Sequence, residues 1–566
     1  MLADLLIVHR AREEPPPEGW REALVAGQTR VLTRGPVALA RERGAAALVV
    51  SHHPFVDPAA LARAALTRGA LAVADAPAAV CVLDTSSGAF ALTRDPLGAV
   101  PVTYGAAGGV AAAGTDPGAT AAALGGGGRL DLEACRRCLE PSSHSRSARD
   151  LLAPASRLLP GHVLEWASGD GPRTSRWWDP RAPEPADPPG ALLDTLREVL
   201  GPVFDTARAP EVVLEFSGGL DSSGVASLVA RDRHWLDAAA LRAPGFPGTD
   251  DGAAIAAGLR AIPARLVEVD MRGRWPRFDG ELADVAPSLG PIYSATEELT
   301  EAIVLETDAR ARRAILVSGL GADQLFDVTP AVAARGHARA GDRAALASFA
   351  RAYGRRELAR QLALAALEPT GLSALARRAR ARTLPADDPE AARALAERVA
   401  LAEDTRGWLL RATETWGWEL MMRGLRRRAA RSWPARHLDP FLDPRVWEVA
   451  LSLGARWARG PSPRGVWVDK WTLRAAFARH GALHRGLVWR PKTTNFDGVV
   501  CQGIAQGAYD HLDVGALVAR GLTTSARLDE LLGGLPERAR AAMPRATHGA
   551  LEATRVYALA AWVARF

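Results

Sequence analysis

The spacing of apolar residues changes character twice along this chain. Up to about residue 180 they fall in short runs, such as Ala46–Val50, Val80–Leu83 and Phe90–Thr93. Turn-forming stretches separate the runs, among them four consecutive glycines, Gly125–Gly128. Short runs with turns between them predict an antiparallel, mostly β region. A proline-rich connector follows from Pro180 to Gly190 (PRAPEPADPPG). It is expected to hold neither a helix nor a central strand, because proline lacks a backbone donor. Beyond it the apolar runs Val212–Phe216, Ala238–Leu241, Leu266–Val269 and Ile315–Val317 alternate with amphipathic stretches of helical period. That alternation predicts a parallel sheet with crossover helices, whose ligands bind at the carboxyl ends of the strands. From about residue 330 the pattern is mainly helical. The Ala/Arg-rich stretch 333–405 reads as helices with a solvated basic face.

The expected architecture is therefore α/β. An antiparallel β domain covers residues 1–180, and an α/β domain with a helical extension covers 191–566. Composition adds limits. A chain of 566 residues has room for about two to four domains. No apolar run approaches the roughly 18 residues of a membrane span. The first residues, MLADLLIVHRAREE, have a short apolar core followed by charges, unlike a signal peptide. The expectation is a cytoplasmic protein with no membrane role. A net charge of +6 over this length gives no indication of nucleic-acid binding. Four cysteines argue against a disulfide framework, and the lone pair Cys135 and Cys138 reads as helical core rather than as a zinc site. Of the 70 basic residues only two are lysines, Lys470 and Lys492. Either they are chance survivors of a drift toward arginine, or they stand where a compact ammonium is needed and a planar guanidinium would not fit.

The chemistry begins at residues 217–223, Ser-Gly-Gly-Leu-Asp-Ser-Ser, directly after the apolar run that ends at Phe216. A helix is expected to start at about Ser223. A strand, a glycine- and hydroxyl-rich loop and a helix start together gather backbone N–H groups and a positive dipole end around an anion. Asp221 would repel a bare phosphate, so its presence points to Mg²⁺ between carboxylate and phosphate oxygens. No GxxxxGK[ST] segment occurs, so a Walker-type site is not indicated. The string resembles the pyrophosphate loop of enzymes that split ATP between its α and β phosphates.

Over nearly its full length the chain resembles the asparagine synthetase family. LTRDPLGAVPVTYG (92–105) is similar to a segment of the family's glutaminase domain. LLPGHVLEW (158–166), with Trp177 and Trp178, is similar to the segment that closes it. SGGLDSS (217–223), VSGLGADQLF (317–326), HLDPFLDPRVWEVAL (437–451) and RPKTTNF (490–496) match the synthetase half in order. The resemblance implies an Ntn-type glutaminase-like domain and a C-terminal ATP-binding, adenylating domain. Two departures refine it. Glutamine-dependent members carry a cysteine after the initiator methionine, whereas Leu2 stands here, followed by Ala3 and Asp4, so glutamine hydrolysis is not expected. Leu320 stands in SGLGAD where asparagine synthetases have glutamate and β-lactam synthetases a tyrosine. A third change is Gln324, where asparagine synthetases usually carry glutamate.

These departures fit the lasso peptide cyclases, the branch that uses ATP to activate an Asp or Glu side chain of a precursor peptide. The peptide's own α-amine then closes a macrolactam. The alternatives are an ammonia-dependent asparagine synthetase or a β-lactam synthetase-like ligase, and, outside enzymes, a scaffold that only binds a partner. The resemblance implies that Ser217, Gly218, Gly219, Ser222 and Ser223, with Gly319, cradle pyrophosphate. It implies that Asp221 and Asp323 hold Mg²⁺, and that Lys492 neutralises charge developing in the reaction. For Asp323 the other reading is a helix N-cap. Lys470, in DKWTLRAAF, reaches pyrophosphate or solvent. Adenine is expected against the backbone near Leu214–Phe216 and Leu241. Leu320 either walls the peptide site or merely packs. The tryptophans of the C-terminal half, Trp408 to Trp489, either line a peptide cavity or form helix-packing core. Expected partners are the precursor peptide, a leader peptidase and a leader-recognition protein.

Overall fold

The computed structural model describes residues 3–9, 16–51, 53–73, 76–139, 147–167, 171–205, 211–231, 237–242, 252–260, 262–292, 295–326, 328–367, 405–481, 483, 485–490, 497–535 and 549–566. Two antiparallel six-stranded sheets make up the N-terminal part. One runs Ser156–Arg157, Thr103–Ala107, Val110–Gly114, Asp4–His9, Thr29–Arg34, Arg21–Ala26. The other runs Arg173–Arg176, His162–Trp166, Phe90–Thr93, Ala78–Asp84, Ala45–Ser51, Ala38–Glu42. Alternation along each strand divides the apolar residues between two faces. Leu48, Val50 and Cys81 meet Leu5, Ile7 and Val31 between the sheets. Ala47, Val49 and Val80 instead pack under the helix Pro58–Arg68 on one outer face. Leu6, Val8 and Leu32 pack toward Ala119 and Ala123 of the helix Pro117–Ala123 on the other. Strands covered on both faces read as continuous apolar runs, which is why 46–50 and 80–83 stood out.

The connector is shorter than its prolines suggested. A helix already spans Pro188–Phe204, with Pro188 and Pro189 in its first two positions. Proline is tolerated there because the N–H it lacks has no intrahelical acceptor. The sheet that follows is parallel throughout, in the order Arg265–Asp270, Asp237–Arg242, Val212–Glu215, Ile315–Val317, Arg436–Leu438. The last strand lies in the region expected to be mainly helical. It reads Arg-His-Leu, with a single apolar residue, so it gives no apolar run. The chain winds outward from 212–215 on one side and then returns to the other, so the order reverses between 212–215 and 315–317. Crevices form at such switch points. Val212, Leu214, Ile315 and Val317 face one core, while Val213, Ala239 and Leu316 face the other.

A 17-residue helix, Trp416–Ser432, lies between the two parts. It carries a buried row of charges. Glu419 lies 2.9 Å from Arg94, 3.4 Å from Arg157 and 2.8 Å from Arg423. Arg423 also bonds Asp150, and Arg426 bonds Asp4. The Trp416 ring has Arg157 and Arg423 over it. Burial alone would raise the carboxyl pKa of Glu419, but the three guanidinium groups outweigh it and hold the group ionised well below the usual carboxylate range. Cys135 and Cys138 are buried free thiols on the helix Leu132–Leu139. Among the described residues no helix is long and apolar enough to cross a membrane.

Candidate active site

The central strand Val212–Glu215 opens into a loop at Ser217–Gly219, and the next helix begins at Leu220. That is three residues earlier than its sequence suggested. Asp221, Ser222 and Ser223 therefore stand in the first helical turn, where an acidic side chain suits the dipole and Ser223 N donates to Gly219 O at 3.1 Å. Gly218 has φ +71, and a Cβ there would come within 2.6 Å of Ile255 N. Both the backbone angle and the space require glycine. The loop closes on itself through the Ser217 and Ser222 hydroxyls, 3.0 Å apart, with Ser217 N donating to Ser222 Oγ at 3.2 Å. The Ser223 hydroxyl is buried with no hydrogen-bond partner among the described residues.

The neighbouring strand Ile315–Val317 ends in a second loop. Ser318 donates to Asp439 and accepts from Leu320 N at 3.0 Å. Gly319 touches the first loop's helix so closely that a Cβ would lie 2.7 Å from Ser222 N and 2.8 Å from the Asp221 carbonyl carbon. The two strand ends thus share one packed junction. Leu320 is half-buried. Asp323 stands in the short helix Ala322–Leu325, whose N-cap is Gly321 and not Asp323.

A third segment brings the cation. Lys470 has a left-handed backbone, φ 50, just ahead of the helix Trp471–His480. Its ammonium lies 2.5 Å from Asp221 Oδ2 and 2.6 Å from Asp323 Oδ1. It is buried, so it does not simply point into solvent. Burial alone would lower its pKa, but the two carboxylates outweigh that and raise it. Lys470 is thus a full cation at neutral pH.

Sequence reasoning missed what holds these pieces. Arg474, one turn after Lys470, donates to Asp469 O (2.7 Å), Asp469 Oδ1 (2.7 Å), Val488 O (2.5 Å) and Arg490 O (2.9 Å). One guanidinium so fixes the lysine's turn and the stretch that leads into residues 491–496. Its signal was present, as an arginine four residues after the lysine in DKWTLR. Behind the loops, Arg428 donates to Glu215 Oε1 at 2.8 Å and approaches His437 Nδ1 at 3.2 Å. Burial raises the carboxyl pKa of Glu215 and of Asp439, with Arg428 opposing in both. Burial, with Arg428 nearby, holds His437 well below its ordinary value and therefore neutral.

Other expected site residues are placed as follows. Leu214 and Phe216 are buried in the main core, and Leu241 is half-buried near the carboxyl end of the adjacent strand. Lys492 lies outside the described residues, as does Leu2. Trp416, Trp418 and Trp447 are core. The last two pack edge to face and spend their N–H groups on Leu97 O and Phe441 O.

Asp221 and Asp323 fit a divalent cation, since both already converge on one positive charge. Two carboxylates supplemented by phosphate oxygens suit Mg²⁺. Among the described residues no group of three or more His, Cys, Asp or Glu side chains gathers to hold a metal. In comparison with known families, residues 206–564, more than half of the chain, match the family described as asparagine synthase. Comparison with curated proteins finds no match.

Proposed function

The chain belongs to the asparagine synthase family, and from that premise we propose that it is a lasso-type macrolactam synthetase. The family membership makes it an ATP-dependent, AMP-forming carbon–nitrogen ligase. The finer reading concerns the nucleophile. A side-chain carboxylate of a precursor peptide attacks the α-phosphorus of ATP, the bond to the bridging oxygen breaks and pyrophosphate leaves. The peptide's α-amine then attacks the acyl carbon, AMP departs and the nitrogen gives up a proton.

Ser217, Gly218, Gly219, Ser222 and Ser223, with Gly319 beneath them, bind the departing pyrophosphate in this reading. Asp221 and Asp323 hold Mg²⁺, which when bound neutralises phosphate charge. Lys470 and Lys492 supply the remaining positive charge near the phosphates, where charge develops in the transition state. Leu241 borders the adenine. The N-terminal sheets act as a brace, through Arg426 on Asp4 and Arg94 on Glu419, and do not hydrolyse glutamine.

The observation that carries the finer reading is Leu320. It stands half-buried beside Gly319, its N–H held by Ser318, and it accepts no proton. An α-amine has a reference pKa of about 7.7–8.0, so roughly a tenth is free base near pH 7. A general base gives about 10²–10⁴-fold. Holding two groups of one folded peptide in register supplies effective molarities of about 10⁵–10⁸ M, so the base is dispensable. The test is mass spectrometry of a leaderless candidate peptide incubated with protein, ATP and Mg²⁺, with the leader peptidase and leader-recognition protein present for a full-length precursor. Loss of one water with release of AMP is expected. Release of ADP rules out adenylation, and asparagine formed from ammonia and aspartate replaces the macrolactam reading with the asparagine synthetase one.

A further inference from the structure

We propose that Lys470 occupies the divalent-cation position until a nucleotide arrives, so that this protein takes metal only together with ATP. The proposal rests on the reading of Asp221 and Asp323 as the metal-holding pair and adds an order of binding to it. Three observations carry it. The ammonium bonds one oxygen of each carboxylate at 2.5 and 2.6 Å, so it stands between the two groups a metal would join. It is held there from behind. The Lys470 backbone sits in the left-handed region, uncommon for a residue with a side chain, and Lys470 O accepts from Arg474 N at 2.9 Å, while the Arg474 side chain grips Asp469. The surroundings also offer a metal little else, since among the described residues no third His, Cys, Asp or Glu side chain joins the pair.

The physical consequence follows from the hydration of Mg²⁺. The ion gives up water reluctantly and is ordinarily held by one or two carboxylates plus substrate phosphates. A free ion entering here must displace an ammonium already paired to both carboxylates, and the displaced ammonium would lose both of these ion pairs. When a polyphosphate enters on the Ser217–Gly219 loop, the same ammonium gains phosphate oxygens as partners and the carboxylates are released to the metal. The lysine's single charge on a flexible stem suits such a transfer, whereas an arginine fork would hold both carboxylates in fixed geometry.

The experiment measures Mn²⁺ as the probe, by the loss of its free paramagnetic signal, on the full chain. Wild type is compared with Lys470→Met and with the double variant Lys470→Met/Asp323→Asn, each checked for an unchanged circular dichroism spectrum. Without nucleotide, Lys470→Met is expected to bind one Mn²⁺ at least about tenfold more tightly than wild type, and the double variant is expected to lose that gain. Equal Mn²⁺ affinity in wild type and Lys470→Met overturns the proposal. If Lys470→Met does not fold, the decision falls to wild type alone. There α,β-methylene-ATP, which cannot be cleaved at the relevant bond, should raise Mn²⁺ uptake beyond what the nucleotide binds in solution. Tight Mn²⁺ binding by nucleotide-free wild type overturns the proposal in that case. A separate measurement covers the underlying site. If wild type binds no Mn²⁺ with the nucleotide present and the Lys470→Met gain is indifferent to Asp323, the metal-holding pair itself is wrong.

Discussion

Two of the charge clusters among the described residues are built from different cations. On the helix Trp416–Ser432 every cation is an arginine. Glu419 is shared by Arg94, Arg157 and Arg423, all fully buried, and the same helix sends Arg426 to Asp4 and Arg427 to Glu297. At the strand ends the cation is a lysine, Lys470, between Asp221 and Asp323, and the Asp323 side chain is half exposed. A guanidinium fork satisfies several acceptors at fixed angles and suits a permanent joint. An ammonium on a four-carbon stem can change partners. In a chain with 70 basic residues and two lysines, the open cluster of this pair is the one built on a lysine.

The comparison can be broken first at the open cluster. Asp221→Ala or Asp323→Ala is expected to lower AMP formation by at least about 10²–10³, the scale of losing one electrostatic contact to the transition state. The thermal midpoint should fall less than in the closed cluster, because the remaining carboxylate still pairs Lys470, and a variant that keeps full turnover removes its residue from the site. The closed cluster should respond the other way. Glu419→Ala leaves three guanidinium groups facing one another without their shared anion, and breaking a buried pair costs about 3–5 kcal/mol. Denaturant titration should show the loss, with Asp221-dependent turnover kept in whatever protein remains folded.

A pH series sharpens the same contrast. The native pKa of Glu419 is depressed below its unfolded value, so its contribution to stability is complete above about pH 4.3 and fades as pH falls from there toward the native pKa. The stability gap between wild type and Glu419→Gln should therefore be widest near neutrality and shrink in acid. A gap independent of pH would show that the arginines do not depend on that charge. The smallest effect is expected behind the loops. Asp439→Asn keeps an acceptor for Ser318 and should change turnover by less than about tenfold, the worth of about one hydrogen bond. Asp439→Ala removes the acceptor that orients the Ser318 hydroxyl, which in turn holds Leu320 N, and should cost more, mostly in kcat.

Much of this was legible in the chain. Four strands of the parallel sheet came from apolar runs: three are largely buried and show no alternation, while the edge strand Arg265–Asp270 is mostly exposed. The loop at 217–223 came from its glycine and hydroxyl pattern. The fifth strand, Arg436–Leu438, holds only one apolar residue, and its pairing depends on the chain returning beside 315–317. The early helix start at Leu220 escaped because Asp and Ser favour caps as readily as first turns. Arg428 and Asp439 were hidden for another reason. Each acts on a segment distant in sequence, and a sequence rich in arginine gives no hint of which guanidinium is buried.

Arg474 has one more consequence. Three of its four bonds end on main-chain carbonyls, at Asp469, Val488 and Arg490. Such a grip does not depend on which side chains those positions carry. Residues 488 and 490 are therefore open to substitution as far as this contact is concerned, and only Asp469 and Arg474 are tied as a pair. The joint between the Lys470 turn and residues 488–490 thus depends on very few side chains, a robust arrangement in a chain rich in alanine, glycine and arginine.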